Sequence, residues 1–163
     1  IDEMESMLND YLQFAKTQAQ ESTSPINLSN LFNEIKKDFK NENLILVNLE
    51  DSILKGRVSA LKRCFENVVQ NGLVYGEKVY VDLQKKSNRV VINIEDDGPG
   101  IPEDQYKNVF KPFFRLDKSR SLNQSGVGLG LAVVEDIINS HGGNIQLSKS
   151  KYNGLQVKIS LPY

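Results

Sequence analysis

"EDDGPGIPED", residues 95–104, packs five acids, two prolines and two glycines into ten positions, directly after the apolar run "VVINI" at residues 90–94. The run reads as a strand, and the two glycines let the backbone after it bend sharply and approach a ligand more closely than any residue with a Cβ. Asp96 is the last residue in strand register. Its carboxylate can sit inside a pocket as a pure acceptor, which matches the exocyclic amine of adenine. A β-turn with solvated acids is the competing reading, and for "DG" alone it is the better one.

The chain has 163 residues, 39% of them apolar and 25% charged, enough for one core and short for two. Twenty basic against 21 acidic residues leave a net charge of -1, so nothing global recruits nucleic acid or an anionic membrane. The single Cys64 cannot form an internal disulfide, and its place in the apolar register of a helical run predicts a buried thiol in a reducing compartment. No stretch approaches the roughly 18–20 apolar residues of a membrane span, and no charged start with an apolar h-region precedes the domain. Because the chain opens on Ile1 in mid-pattern, it is expected to be part of a longer protein, whose other parts can include a membrane anchor.

Over residues 1–21, Ile1, Met4, Leu8, Tyr11 and Ala15 recur at heptad spacing, widened by Met7, Leu12 and Phe14. This predicts a helix in need of a partner helix, with packing on its own domain as the alternative. The polar "ESTSP" that follows places a linker at residues 22–26 and the main domain at 27–163. There, "NLSNLFNEIKKDF" reads as a helix capped by Asn27 or Ser29, "NLILVNL" as a strand, and residues 57–76 as a second helix ending at Gly76. Residues 78–84 and 89–96 form a hairpin; a short helix lies around residues 102–110, an apolar helix at 131–141, and a closing hairpin at 143–162. Strands mostly adjacent in pairs predict an α+β fold, a two-layer sandwich with helices on one face of a mixed sheet.

Three further stretches bear on chemistry. Asn67 and Asn71, four apart, share one face of the second helix, while Val68, Val69 and Leu73 occupy the other. An amide oxygen is a hard neutral ligand suited to Mg²⁺ with phosphate, although a solvated helix face has the same pattern. In "SGVGLGLAVV", Gly126, Gly128 and Gly130 precede a helix, which favours phosphate at its N-terminus. The polar "RSLNQS" before it rules out a dinucleotide fingerprint, and no Lys-Ser/Thr pair follows to make a P-loop. Between these lies "VFKPFFRLDKSR", where Phe110, Phe113 and Phe114 alternate with Lys111, Arg115, Lys118 and Arg120, a loop able to anchor by its rings and reach polyphosphate with its cations.

In order and wording these stretches resemble the N, G1, F and G2 boxes of sensor histidine kinases, members of the ATPase superfamily that includes gyrase, Hsp90 and MutL, with the nearest likeness to the osmosensing two-component kinases. The likeness runs from about residue 27 to 162. It implies a Bergerat-type ATP-binding fold, preceded by a dimerisation-stalk helix, with ATP between the G1 turn and a lid. Carried over, Asn71 resembles the magnesium-binding Asn, Asn67 its catalytic partner one turn earlier, and Tyr75 the ring beside adenine. Asp96 resembles the adenine-reading Asp, Gly98 and Gly100 the G1 glycines, Arg115 the catalytic lid cation, and Gly126, Gly128 and Gly130 the G2 glycines. Ile101, Lys118, Leu129 and Leu131 complete the implied nucleotide-binding set. The pattern departs at Val74, where the family often has Lys or Arg, and at Leu155, which follows Gly154 in place of Thr.

In gyrase-like relatives an acid at the position of Asn67 activates water; here the position carries an amide, and the adjacent Glu66 is turned about 100° away. The only histidine, His141 in "NSHGG", is expected as a helix C-terminal group favourable to the dipole. Residues 1–21 resemble the second helix of a dimerisation hairpin, which puts the acceptor His on the helix before it. The resemblance thus implies transfer of the γ-phosphoryl of Mg·ATP to a stalk His of the same or a partner subunit, and onward to a response regulator. It also implies a full-length homodimer in the bacterial inner membrane, with this domain cytoplasmic and no nucleic-acid partner. A regulatory nucleotide-binding module without transfer activity and an ATP hydrolase of the gyrase or Hsp90 type are the alternatives.

Overall fold

A computed structural model describes residues 5, 8, 9, 12, 13, 16, 20–111, 114 and 130–163. Strand alternation sets the layers. In β4 (Val79–Lys85) and β5 (Arg89–Asp96), register pairs Val79 with Asp96, Val81 with Ile94 and Leu83 with Ile92; β7 (Leu155–Pro162) continues the row with Val157, Ile159 and Leu161. Successive side chains alternate between faces, so these apolar residues form one buried face, while Tyr80, Asp82, Asn93 and Glu95 belong to the other. With β2 (Leu44–Leu49) and β6 (Asn144–Lys149), the sheet runs β2-β4-β5-β7-β6, mixed because only β2 and β4 are parallel.

Among the described residues, three helices cover the apolar face: α1 (Leu28–Phe39), α2 (Val58–Tyr75) and α3 (Gly130–Ser140). Asn27 caps α1, its Oδ1 accepting the Asn30 N–H at 3.0 Å. The Phe32 and Phe65 rings pack at 4.7 Å between centroids, and Lys62 of α2 pairs with Glu34 and Asp38 of α1, both at 2.9 Å. Cys64 is fully buried in this core, and loss of solvation raises its pKa. Among the described residues the two-layer arrangement and mixed sheet match the expectation; the segment expected as one short helix around residues 102–110 consists of two 3₁₀ turns, Glu103–Gln105 and Asn108–Phe110.

The linker expected at residues 22–26 needs correction. Ser24–Asn27 form β1, antiparallel to β3 (Ile53–Gly56), with Ile26 opposite Leu54 and both buried. Pairing and burial draw three of the five expected linker residues, 24–26, into the domain. Upstream, Glu5, Leu8, Asn9, Leu12, Gln13, Lys16 and Gln20 are helical and exposed, Leu8 by 46% and Leu12 by 56%. The heptad residues Ile1, Met4, Met7, Tyr11, Phe14 and Ala15 lie outside the described residues.

Candidate functional site

At the end of β5 a cavity of about 120 Å³ opens between the strands and the ends of α2 and α3. Asp96 stands on its wall because its strand position faces the helices, one step beyond Ile94. The carboxylate is largely buried, and Oδ1 accepts the backbone N–H groups of Gly98 at 2.9 Å and Leu155 at 3.2 Å. Among the described residues no bond to Oδ2 is seen, and Asp96 lines the cavity. Burial raises the pKa of Asp96, the amides of Gly98 and Leu155 oppose that shift, and the neighbouring Asp97 charge adds to it.

Asn71 and Tyr75 bring the last turns of α2 to the same cavity, and Gly100, Ile101, Gly130 and Leu131 line it as well. Gly100 has φ +73, a left-handed conformation that favours glycine. Gly98 serves from the side: it does not line the cavity, and a Cβ there would sit 2.7 Å from the Tyr75 carbonyl oxygen. The Asn71 amide lies beside the start of α3, 3.6 Å from where a Cβ on Gly130 would be. A helix N-terminus next to a neutral oxygen ligand is a setting for phosphate with a divalent cation.

Asn67 is not brought into this group. It is half-buried on α2 but does not line the cavity, although the next residue, Val68, does. Glu66 is also elsewhere: burial raises its pKa, and the charges acting on it belong to Lys62, Asp38, Arg63 and Glu34, toward α1. Arg115, Lys118, Gly126, Gly128 and Leu129 lie outside the described residues. Of the aromatic loop, Phe114 lines the cavity, with Val109 beside it.

Sequence reasoning missed Gly72 and the role of Leu155, and it named Gly154 only for the residue that follows it. A Cβ on Gly72 would lie 2.5 Å from Val79 Cγ2, so its absence lets α2 approach β4 beneath the cavity. A glycine inside a helix costs about 1 kcal/mol against alanine, and that misplaced glycine was the available signal. At Gly154 a Cβ would lie 2.1 Å from Asp96 Oδ1 and 2.3 Å from its backbone oxygen. Leu155 departs from the family's Thr, yet it reaches Asp96 through its amide, which any residue except proline supplies.

His141 differs from its expected role. Its Nε2 accepts the Arg57 N–H at 3.0 Å and its Nδ1 lies 2.8 Å from the Ile137 carbonyl, which assigns the neutral Nδ1–H tautomer. Burial lowers its pKa, consistent with a neutral ring joining α3 to the start of α2 rather than a cation at a helix end.

Residues 56–163 match the family described as histidine kinase-, DNA gyrase B-, and HSP90-like ATPase. The chain belongs to this family. It is 34% identical over 164 residues to the sensor histidine kinase GtrS of Pseudomonas aeruginosa, covering 99% of this chain and 34% of that protein. The chain thus spans about a third of the length of the curated relatives it matches. Among solved structures it is similar to the mycobacterial sensor histidine kinase MprB (TM-score 0.74, 27% identity, covering 85% of this chain and 96% of that one). It is also similar to the ATP-binding domain of PrrB from Mycobacterium tuberculosis (TM-score 0.72, 25% identity, 87% of this chain and 98% of that one). As a histidine kinase-like ATPase domain, the chain has its cavity where the end of β5 and the start of α3 meet.

Proposed function

We propose that the cavity binds the adenine of ATP against Asp96, and that the domain acts within a longer sensor histidine kinase to phosphorylate a histidine on its stalk. The observation that carries this reading is the Asp96 carboxylate, held on the wall of the cavity by two backbone N–H groups through Oδ1. An acceptor fixed in that way suits the exocyclic amine of adenine. Tyr75 and the apolar wall of Val68, Ile94 and Val109 support a flat ring, and the start of α3 supports phosphate.

Asn71 is the residue that would hold Mg²⁺, which when bound offsets phosphate charge. In the transfer, the acceptor imidazole nitrogen would form a bond to the γ-phosphorus as the bond to the ADP oxygen breaks. The domain's contribution is positioning and charge neutralisation. Arg115 and Lys118 belong to this proposal as cations toward the phosphates, Gly126, Gly128 and Leu129 as the backbone around them, and Asn67 as an amide near the transferred group. A response regulator as recipient, a homodimer through residues 1–21 and membrane attachment of the full-length protein belong to the same reading. No helix among the described residues is long and apolar enough to cross a membrane.

Calorimetric titration with ATP, with and without Mg²⁺, tests the binding step. Mixing the chain with a separately made His-bearing hairpin and labelled ATP tests the transfer: acid-labile, base-stable label on the hairpin is the expected result. Binding without such label would leave a nucleotide-binding module and overturn the kinase.

A further inference from the structure

Glu95 and Asp96 are consecutive in β5, so their side chains leave on opposite faces of the sheet, Asp96 toward the helices and Glu95 toward the side they leave uncovered. Both reach the same piece of chain, residues 150–155, where the turn after β6 leads into β7. On the cavity side the Leu155 N–H donates to Asp96 Oδ1 at 3.2 Å. On the other side Glu95 Oε1 accepts the Ser150 hydroxyl at 3.0 Å. Glu95 is 8% exposed and Ser150 4%, and a pair of polar side chains so buried is retained only where its bonds are made.

Ser150 organises the turn as well as anchoring it. Its hydroxyl oxygen accepts the Tyr152 N–H at 3.0 Å, its N–H donates to the Gly154 carbonyl at 2.9 Å, and its carbonyl accepts from Asn153 at 3.0 Å. Tyr152 then stacks on Tyr80, with centroids 3.7 Å apart and planes at 10°. Tyr80 is the register partner of Glu95, so the stack and the Glu95–Ser150 bond pin the turn side by side. The close packing of Gly154 on Asp96 leaves little slack between a shift of the turn and a shift of the Leu155 amide.

We propose that Glu95, Ser150, Tyr80 and Tyr152 are positioning residues for the nucleotide site: through side-chain contacts on the sheet face away from the helices they hold the turn that presents the Leu155 amide to Asp96 Oδ1, leaving Oδ2 toward the purine. This rests on the reading of Asp96 as the group that meets the adenine amine. The clamp acts on base discrimination and leaves phosphate binding alone.

The test compares ATP with inosine triphosphate, in which a carbonyl replaces the exocyclic amine, by calorimetry on the wild-type chain and Ser150→Ala. Loss of the two hydrogen bonds of the Ser150 hydroxyl, to Glu95 and from the Tyr152 N–H, should weaken ATP about five-fold and the inosine analogue less than about two-fold, so the preference for ATP narrows. A general loosening of the fold would weaken both nucleotides alike, and equal losses, or no loss for ATP, overturn the inference while leaving the ATP reading intact. Failure of the wild-type chain to bind ATP overturns that reading and the clamp with it. Should Ser150→Ala not fold, Tyr152→Ser, which removes the ring from Tyr80 and keeps the Ser150 hydroxyl, is judged by the same ratio.

Discussion

Burial raises the pKa of Asp96 above its ordinary value, while the adjacent Asp97 is lowered, first by the Lys78 amide and also by that of Glu77, whose N–H groups reach its Oδ1 at 2.9 and 2.8 Å. The signs for stability are opposite. A carboxyl raised in the folded state contributes stability below its unfolded pKa and loses it as pH rises through the folded value; one lowered contributes above its unfolded pKa and loses it as pH falls through the folded value. At neutral pH Asp96 is therefore a cost to the ligand-free fold and Asp97 a support. Asp96→Asn should keep or raise the Tm of the free chain at pH 7 while weakening ATP by about 1–3 kcal/mol, read by thermal melting and calorimetry. Unchanged affinity would remove Asp96 from the pocket. Asp97→Ala should cost about 1 kcal/mol at pH 7, the effect fading in acid, with ATP affinity unmoved. Asn71→Ala should weaken ATP more with Mg²⁺ than without it; a loss independent of the metal would sink its assigned role.

Helix α2 carries Asn71 and Tyr75 at its far end, and its near end is held from outside the helix. Arg57, the N-cap residue, makes no side-chain cap; instead the Glu21 carboxylate accepts the N–H groups of Ser59 at 2.9 Å and Ala60 at 3.2 Å. A carboxylate on the first free amides of a helix both satisfies donors and meets the positive end of the dipole. Glu21→Ala should therefore lower stability by about 1 kcal/mol, measured as a fall in the urea midpoint at unchanged slope. An unchanged midpoint would show that the contact is not made in solution. No sequence signal pointed to this cap, because the carboxylate comes from a residue 38 positions away. The β1–β3 pair was hidden for a related reason: each strand has four residues, too few for alternation to register, and only their non-local pairing buries Ile26 and Leu54. By contrast α2 itself was legible from Val58, Leu61, Phe65 and Val68 at helical period, and Asp96 from its place at the end of an alternating strand. The Leu155 amide left no trace, since a backbone donor has no letter of its own.

At the scale of the whole fold, the cavity lies where the layers meet, with walls from α2 and α3 on one side and β4, β5 and β7 on the other. A ligand filling it contacts both layers at once and must be released before they separate. Binding to the folded state alone stabilises it by about 2.7 kcal/mol at a ligand concentration 100 times Kd. For a chain of this length each kcal/mol moves Tm by about 2–4 °C, so Mg·ATP at that concentration should raise it by about 5–10 °C, and Asp96→Asn, weaker by about 1–3 kcal/mol, should forfeit between about a third and nine-tenths of the rise at the same ATP concentration. Removing the nucleotide by dialysis should return the melt to its starting point. An equal rise in the wild type and in Asp96→Asn would place the nucleotide somewhere other than at the end of β5, since stabilisation through this cavity has to pass through the acceptor on its wall.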